Sequence, residues 1–140
     1  MLENELRGMI QKAVEKLDGH ISWIESHATS AGFPDADICI DGAIIQAELK
    51  VEKSNGDIEI RPTQYRWFKD RVDAGGLPVL IVGTDNGFWL VPGHMVNCAP
   101  EHKGSTRLHS MEQIHNGRFC SHRPTADDMI KLCTEWCDRS

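Results

Sequence analysis

The sequence lacks an apolar run of membrane-spanning length, any internal repeat, any low-complexity tract and any convincing linker. A bilayer-crossing helix needs roughly 20 consecutive apolar residues, so no membrane association is expected. Residues 1–140 fit one domain with one core. The opening stretch, MLENELRGMIQKAVEKL, carries acids and lacks the apolar block of a signal peptide. A cytoplasmic protein is therefore expected. An even cysteine set is lacking too. The five cysteines (Cys39, Cys98, Cys120, Cys133 and Cys137) come without a secretory signal, which favours free thiols over a disulfide framework.

Positive charge is also short. Lys and Arg number 15 against 21 Asp and Glu, a net charge of -6 at pH 7. That counts against a protein that coats DNA by bulk electrostatics, because phosphate contacts need Lys and Arg. It leaves room for a local basic face, and for a metal site that is acidic before its cation arrives. The share of hydrophobic residues, 40%, is that of an ordinary globular chain rather than a disordered one.

What is present reads as alternating helices and strands. Leu6, Met9, Ile10, Ala13, Val14 and Leu17 recur at helical spacing over residues 3 to 17, and Asp18-Gly19 ends that helix. A short strand follows at about Ile21 to Glu25, then a small-residue loop from His27 to Pro34. Two strands, Asp35 to Ile40 and Ala43 to Lys50, flank Asp41-Gly42, the strongest short-range hairpin signal. A polar loop with Ser54-Asn55-Gly56 leads to Pro62-Thr63, which opens a second helix ending at Gly75-Gly76. Val79 to Val82 reads as a buried strand, and Asp85-Asn86-Gly87 turns the chain into Phe88 to Val91. A short helical signal follows Ser110, and Thr125 with Asp128 opens a last helix that turns Met129, Ile130, Cys133, Trp136 and Cys137 inward. The order α-β-β-β-α-β-β with a C-terminal helix, and a β-α-β crossover in the middle, predicts an α/β (α+β) mixed sheet flanked by helices. The core is expected at about residues 3–92, with 93–140 as a C-terminal extension.

A two-residue loop at 41 and 42 pairs Ile40 with Ala43, and counting outward sets Asp37 against Gln46 and Asp35 against Glu48. Side chains alternate along a strand, so Asp35, Asp37, Gln46, Glu48 and Lys50 share one face. Ile38, Ile40, Ala43, Ile45, Ala47 and Leu49 share the other, as expected for packing on a helix. Opposed like charges destabilise a sheet. A divalent cation is the obvious compensation, since Mg²⁺ takes oxygen ligands, commonly one or two carboxylates. Acids and lysines on a strand face are also often no more than a solvated face.

The ordered set Gly32-Phe33-Pro34-Asp35, Ala47-Glu48-Leu49-Lys50 and Pro62-Thr63-Gln64 resembles the PD-(D/E)xK nuclease superfamily. The likeness is greatest to small phage proteins, VRR-NUC domains and archaeal-type Holliday-junction resolvases. It covers residues 5 to 92 loosely and 32 to 84 well. It implies a restriction-endonuclease-like core and a deoxyribonuclease dependent on Mg²⁺ or Mn²⁺. Branched DNA is then the suggested substrate, a homodimer the suggested assembly, and the host cytoplasm the location if the chain is phage-encoded. Asp35, Glu48 and the backbone carbonyl of Leu49 would bind the metal. Lys50 would orient or activate the attacking water, and Gln64 would sit near the site at a helix N-terminus. The resemblance also implies an upstream acid. Glu25, in Trp23-Ile24-Glu25, comes first, with Glu5 and Glu15 as alternatives, and each of the three also reads as an ordinary surface glutamate.

Other signals compete. Cys98 with His102, Cys120 with His122, and Cys133 with Cys137 invite a zinc reading, but their spacings are irregular, and core cysteines with surface histidines are the better expectation. Lys103, Arg107, Arg118 and Arg123 form one basic set, and Arg61, Arg66, Lys69 and Arg71 another, either of which could meet a DNA backbone. Two rival functions remain: a non-catalytic DNA-binding or accessory protein on the same fold, and a zinc-stabilised interaction module.

Overall fold

The computed structural model describes residues 1–24, 32–96, 107–110 and 117–137. Helix α1 (Glu3–Lys16) buries Leu6, Ile10, Ala13 and Val14, one stripe at helical spacing. The chain leaves it through Asp18 at φ 54°, and the Gly19 N–H bonds back to the Val14 carbonyl at 3.0 Å. Strand β1 (His20–Trp23) pairs antiparallel with β2 (Ala36–Ile40), and β2 with β3 (Ala43–Val51). Asp41 at φ 49° and Gly42 at φ 83° make the turn between β2 and β3. Two successive positive φ values are what a two-residue hairpin turn of matching twist requires. The turn fixes the register Ile40↔Ala43, Cys39↔Ile44, Ile38↔Ile45 and Asp37↔Gln46, as the sequence predicts.

Strand β4 (Asp57–Ile60) and helix α2 (Pro62–Asp73) carry the chain over the sheet to β5 (Val79–Thr84), which pairs parallel with β3. Strand β6 (Gly87–Pro92) returns antiparallel, and β8 (Arg118–Cys120) pairs with it at the sheet edge. The main sheet therefore runs β1-β2-β3-β5-β6-β8. A 3-10 turn (Gly93–Met95) follows β6, and β7 (Arg107–Ser110) forms a separate two-stranded ladder with β4. Helix α3 (Ala126–Cys137) is the last element.

Two apolar layers sandwich the sheet. Ile38, Ile45, Leu49, Ile81 and Leu90 face α1 and α3, meeting Leu6, Ile10, Met129 and Leu132. Leu80, Val82 and Val91 face the other way, against Tyr65 and Phe68 of α2 and Ile58 and Ile60 of β4. Three short strands go beyond the sequence expectation. The stretch read as a polar loop contains β4, whose Ile58 and Ile60 alternate with Asp57 and Glu59 and are buried. Strands β7 and β8, four and three residues long, are the other two. The first strand begins one residue earlier than expected and ends at Trp23. The helical signal after Ser110 lies outside the described residues.

Gly32 ties the loop before β2 to α2. It sits at φ 81°, and a Cβ there would lie 2.1 Å from the Thr63 carbonyl oxygen. One residue on, Phe33 meets Trp67 edge-on at 5.1 Å between ring centroids, and the Arg71 guanidinium lies over the Trp67 ring. Gly42 offers a control, since it also has positive φ but open space around its Cβ position. Urea denaturation of Gly32→Ala should show a loss of at least about 2 kcal/mol, against about 1 kcal/mol for Gly42→Ala. Equal losses would mean that the close approach to Thr63 carries no weight.

Candidate active site

Strand β2 begins at Ala36, opposite Ala47, so β3 continues past the point where its partner starts. The Asp35 side chain fills the gap: its Oδ2 accepts the Leu49 N–H at 2.9 Å. Within a strand, a residue's N–H and C=O point to the same edge. The Leu49 carbonyl therefore points to the side where Asp35 stands.

Glu48 stands on the opposite sheet face from Leu49, and its register partner on β5 is Leu80. It is only 5% exposed. Ile60, Gln64, Tyr65, Phe68, Leu80 and Val96 share a small cavity with it, so the carboxyl stands in a largely apolar wall. Its Oε2 accepts a hydrogen bond from Gln64 Nε2 at 2.9 Å and lies 3.6 Å from the Lys50 ammonium. The Gln64 amide is held at its other end, where Oε1 accepts the Arg61 backbone N–H at 2.8 Å. That bond satisfies one of the orphan donors at the start of α2 and turns the Gln64 NH₂ toward Glu48.

Burial, above all, raises the Glu48 pKa to about 8 from an ordinary 4.5. The neighbouring Asp35 charge and a hydrogen bond between the two carboxyls add to the rise, while Lys50 offsets part of it. With both acids ionised, two carboxylates and one ammonium leave this pocket short of positive charge. Two carboxylates and a strand-edge carbonyl, all hard oxygen donors, fit a divalent cation of the Mg²⁺ class. The structure thus brings Asp35, Glu48, Lys50 and Gln64 together, with Leu49 between them.

The remaining sequence candidates lie elsewhere. Asp37 is on the same sheet face, where its Oδ1 accepts from Gln46 Nε2 at 2.9 Å. Glu25 lies outside the described residues. Glu15 accepts a hydrogen bond from Gln11, and Glu5 borders a depression formed with the β5–β6 turn. Among the described residues, the charged neighbours that shift Glu48 are Asp35 and Lys50. On α2, Arg66 is exposed, Lys69 pairs with Asp73 at 2.6 Å, and Arg71 rests on Trp67. Cys133 is buried and Cys39 half-buried. Cys98, His102 and Lys103 fall outside the described residues. The sequence did not reveal how deeply Glu48 is buried. The one available signal was the apolar alternation of β4, which supplies Ile60.

The Archaeoglobus fulgidus protein Hjc, a Holliday junction resolvase from an archaeal hyperthermophile, shares this architecture with a TM-score of 0.59. The match covers 92% of this chain and 98% of that one. The chain has a restriction-endonuclease-like fold. At 10% identity the likeness carries the fold and nothing finer. A bacterial homing endonuclease, I-Ssp6803I, is similar at 10% identity over 96% of this chain and 91% of its own, with a TM-score of 0.47, too distant to add to the assignment. No family model matches this sequence, and no curated protein sequence does. Within the restriction-endonuclease-like fold of this chain, the acid pair occupies the end of β3 where the parallel β3–β5 pair meets the start of β2.

The raised Glu48 pKa has a consequence for stability. Between its ordinary 4.5 and about 8, the folded chain keeps a proton that the unfolded chain has released. The folded state binds more protons in that window, so this contribution to stability is full below the window and is lost as pH rises through it. With divalent ions chelated, the unfolding free energy of the wild type from urea titrations should fall across the window relative to Glu48→Gln, by on the order of a few kcal/mol at most. Parallel pH profiles for the two proteins would remove Glu48 from the account.

Proposed function

We propose that this protein is a divalent-metal-dependent deoxyribonuclease that hydrolyses DNA phosphodiester bonds, with residues 1–140 acting as one nuclease domain. The observation that carries the reading is the nearly buried Glu48 carboxyl set beside Asp35, with an ammonium 3.6 Å away. Such a cluster is costly for stability alone and gains its use when a cation and a phosphate enter it. The shared fold with a Holliday junction resolvase supports DNA as the partner and branched DNA as the first substrate to try. A homodimer would suit the cutting of two strands. No helix among the described residues is long and apolar enough to cross a membrane, and the cytoplasm is the proposed location.

Asp35, Glu48 and the Leu49 carbonyl would hold Mg²⁺ or Mn²⁺. When bound, such a cation supplies positive charge to phosphate oxygens and a water acidic enough to act as nucleophile. Asp35 is held by the Leu49 N–H and so keeps one fixed orientation. Gln64 pins one Glu48 oxygen and leaves the other for the cation. Lys50 is a flexible point charge with three donors. From its place beside Glu48 it can orient the attacking water and stabilise charge as it builds on the phosphate. The positive end of the α2 dipole also favours phosphate there.

A panel of linear, nicked, flapped and four-way DNA, with and without Mg²⁺ or Mn²⁺, tests the reading. Cleavage should require the metal. Glu48→Gln and Lys50→Met should each lower the rate by at least about 10²-fold while circular dichroism stays unchanged. Binding of four-way DNA with no cleavage under any metal would point instead to an accessory protein. Undiminished cleavage in Glu48→Gln would reject the site.

A further inference from the structure

A second cluster of donors lies at the far edge of the sheet, away from the acid pair. One ligand-capable atom each from Cys120, His122 and Asp128 falls within 4.8 Å of the other two. Cys120 ends the edge strand β8, His122 follows it in the turn, and Asp128 stands in the first turn of α3. These three come together because each is fixed independently. Gly87, at φ 153°, lets the Cys120 carbonyl approach to 2.0 Å from where a Cβ would stand, which holds the end of β8 against β6. The His122 ring packs edge-on against Phe88 at 5.7 Å. Asp128 is 5% exposed, and its Oδ2 accepts both the Thr125 N–H and the Thr125 hydroxyl at 2.8 Å.

The His122–Asp128 contact by itself is an ordinary hydrogen bond, with Nε2 3.0 Å from Oδ2 and 3.2 Å from Oδ1. The pair does not call for a thiol at the same point. Sulfur, imidazole nitrogen and carboxylate oxygen converging together are the donor mixture of zinc-class cations, not of Mg²⁺. Tetrahedral zinc with bonds of about 2.0–2.3 Å sets its ligand atoms roughly 3.3–3.8 Å apart. The spacing here needs only small side-chain adjustments to meet that. Thr125 supplies the outer hydrogen bonds that orient a ligating carboxylate. His122 also lines a polar depression of about 290 Å³, bordered by Glu5, Thr84, Ser121 and Arg123, which gives solvent access to this side of the cluster.

We propose that Cys120, His122 and Asp128 form a binding site for a zinc-class divalent cation, separate from the acid pair on β3. The cation would join the three-residue edge strand β8 to the start of α3, two elements otherwise connected by a short turn. On binding, the thiol proton of Cys120 leaves to solvent, the His122–Asp128 hydrogen bond gives way to a bond from each residue to the cation, and the His122 N–H resides on the ring nitrogen that does not ligate.

Cobalt(II), added to the full-length reduced protein, is the probe. One equivalent should give thiolate-to-cobalt charge-transfer absorption and tetrahedral visible bands, and Zn²⁺ should bleach both. Cys120→Ser should lose the charge-transfer band. His122→Ala should weaken cobalt binding by at least about tenfold, and its circular dichroism should stay unchanged because the His122 side chain is 54% exposed. Glu48→Gln should leave the band intact, which separates this site from the proposed nuclease centre, whose oxygen ligands give no thiolate band. No charge-transfer band in the wild type, its survival in Cys120→Ser, or undiminished affinity in His122→Ala would each overturn the assignment.

Discussion

The arrangement of this fold turns on one carboxyl group kept nearly out of water beside another. Glu48 lies toward the end of a nine-residue strand, with Leu80 on the neighbouring strand and α2 above it, and burial there raises its pKa to about 8. A sheet has no need of such a group for stability, since a leucine would fill the same wall at less cost. What keeps the carboxyl in place is a chain of polar contacts: Lys50 at one side, Gln64 at the other, and the Arg61 N–H behind Gln64. Much of the surrounding architecture serves to deliver those groups to one point.

That delivery begins at a glycine. The positive φ of Gly32 and its contact with Thr63 set the loop before β2 against the first turn of α2. Asp35 lies three residues beyond Gly32 and Gln64 one beyond Thr63. The loop and the helix therefore approach the end of β3 as one body, bringing one side chain from each to Glu48. The Phe33–Trp67–Arg71 stack fastens the same junction on its outer side. Displacing the loop would shift Asp35 and Gln64 together rather than singly.

The parts of this arrangement that are local in sequence were legible there. Asp41-Gly42 dictates the turn, the turn dictates the register, and the register sets Asp37 against Gln46 and sends Ile38, Ile45 and Leu49 to the helix side. The stripe of α1 and the start of α2 follow in the same way from spacing and from Pro62. Non-local features were hidden. Strand β4 has only four residues, follows an Asn-Gly pair, and owes its ladder to residues 107–110, far along the chain. The burial of Glu48 depends on Ile60 and Phe68 arriving from outside the hairpin, which no spacing within residues 35–50 announces. The pairing of Thr125 with Asp128 was visible as a helix start. Its meeting with Cys120 and His122 depends on a turn whose path periodicity does not encode.

The proposed chemistry and the net charge of -6 bear on each other. Phosphate approaching an unoccupied Asp35–Glu48 pair would meet like charge, with Lys50 already turned toward Glu48. Protonation of Glu48 relieves part of this at neutral pH, because its pKa stands near 8. A divalent cation would displace that proton and reverse the local sign, freeing the Lys50 ammonium to face the substrate. If the proposed metal site is right, the raised pKa would mark its resting form: the carboxyl would stay neutral in its apolar wall and ionise when a cation makes ionisation favourable. Metal binding and proton release would then be one event. The same electrostatics would favour the cation binding first and DNA second, in a protein whose overall charge offers nucleic acid little long-range attraction.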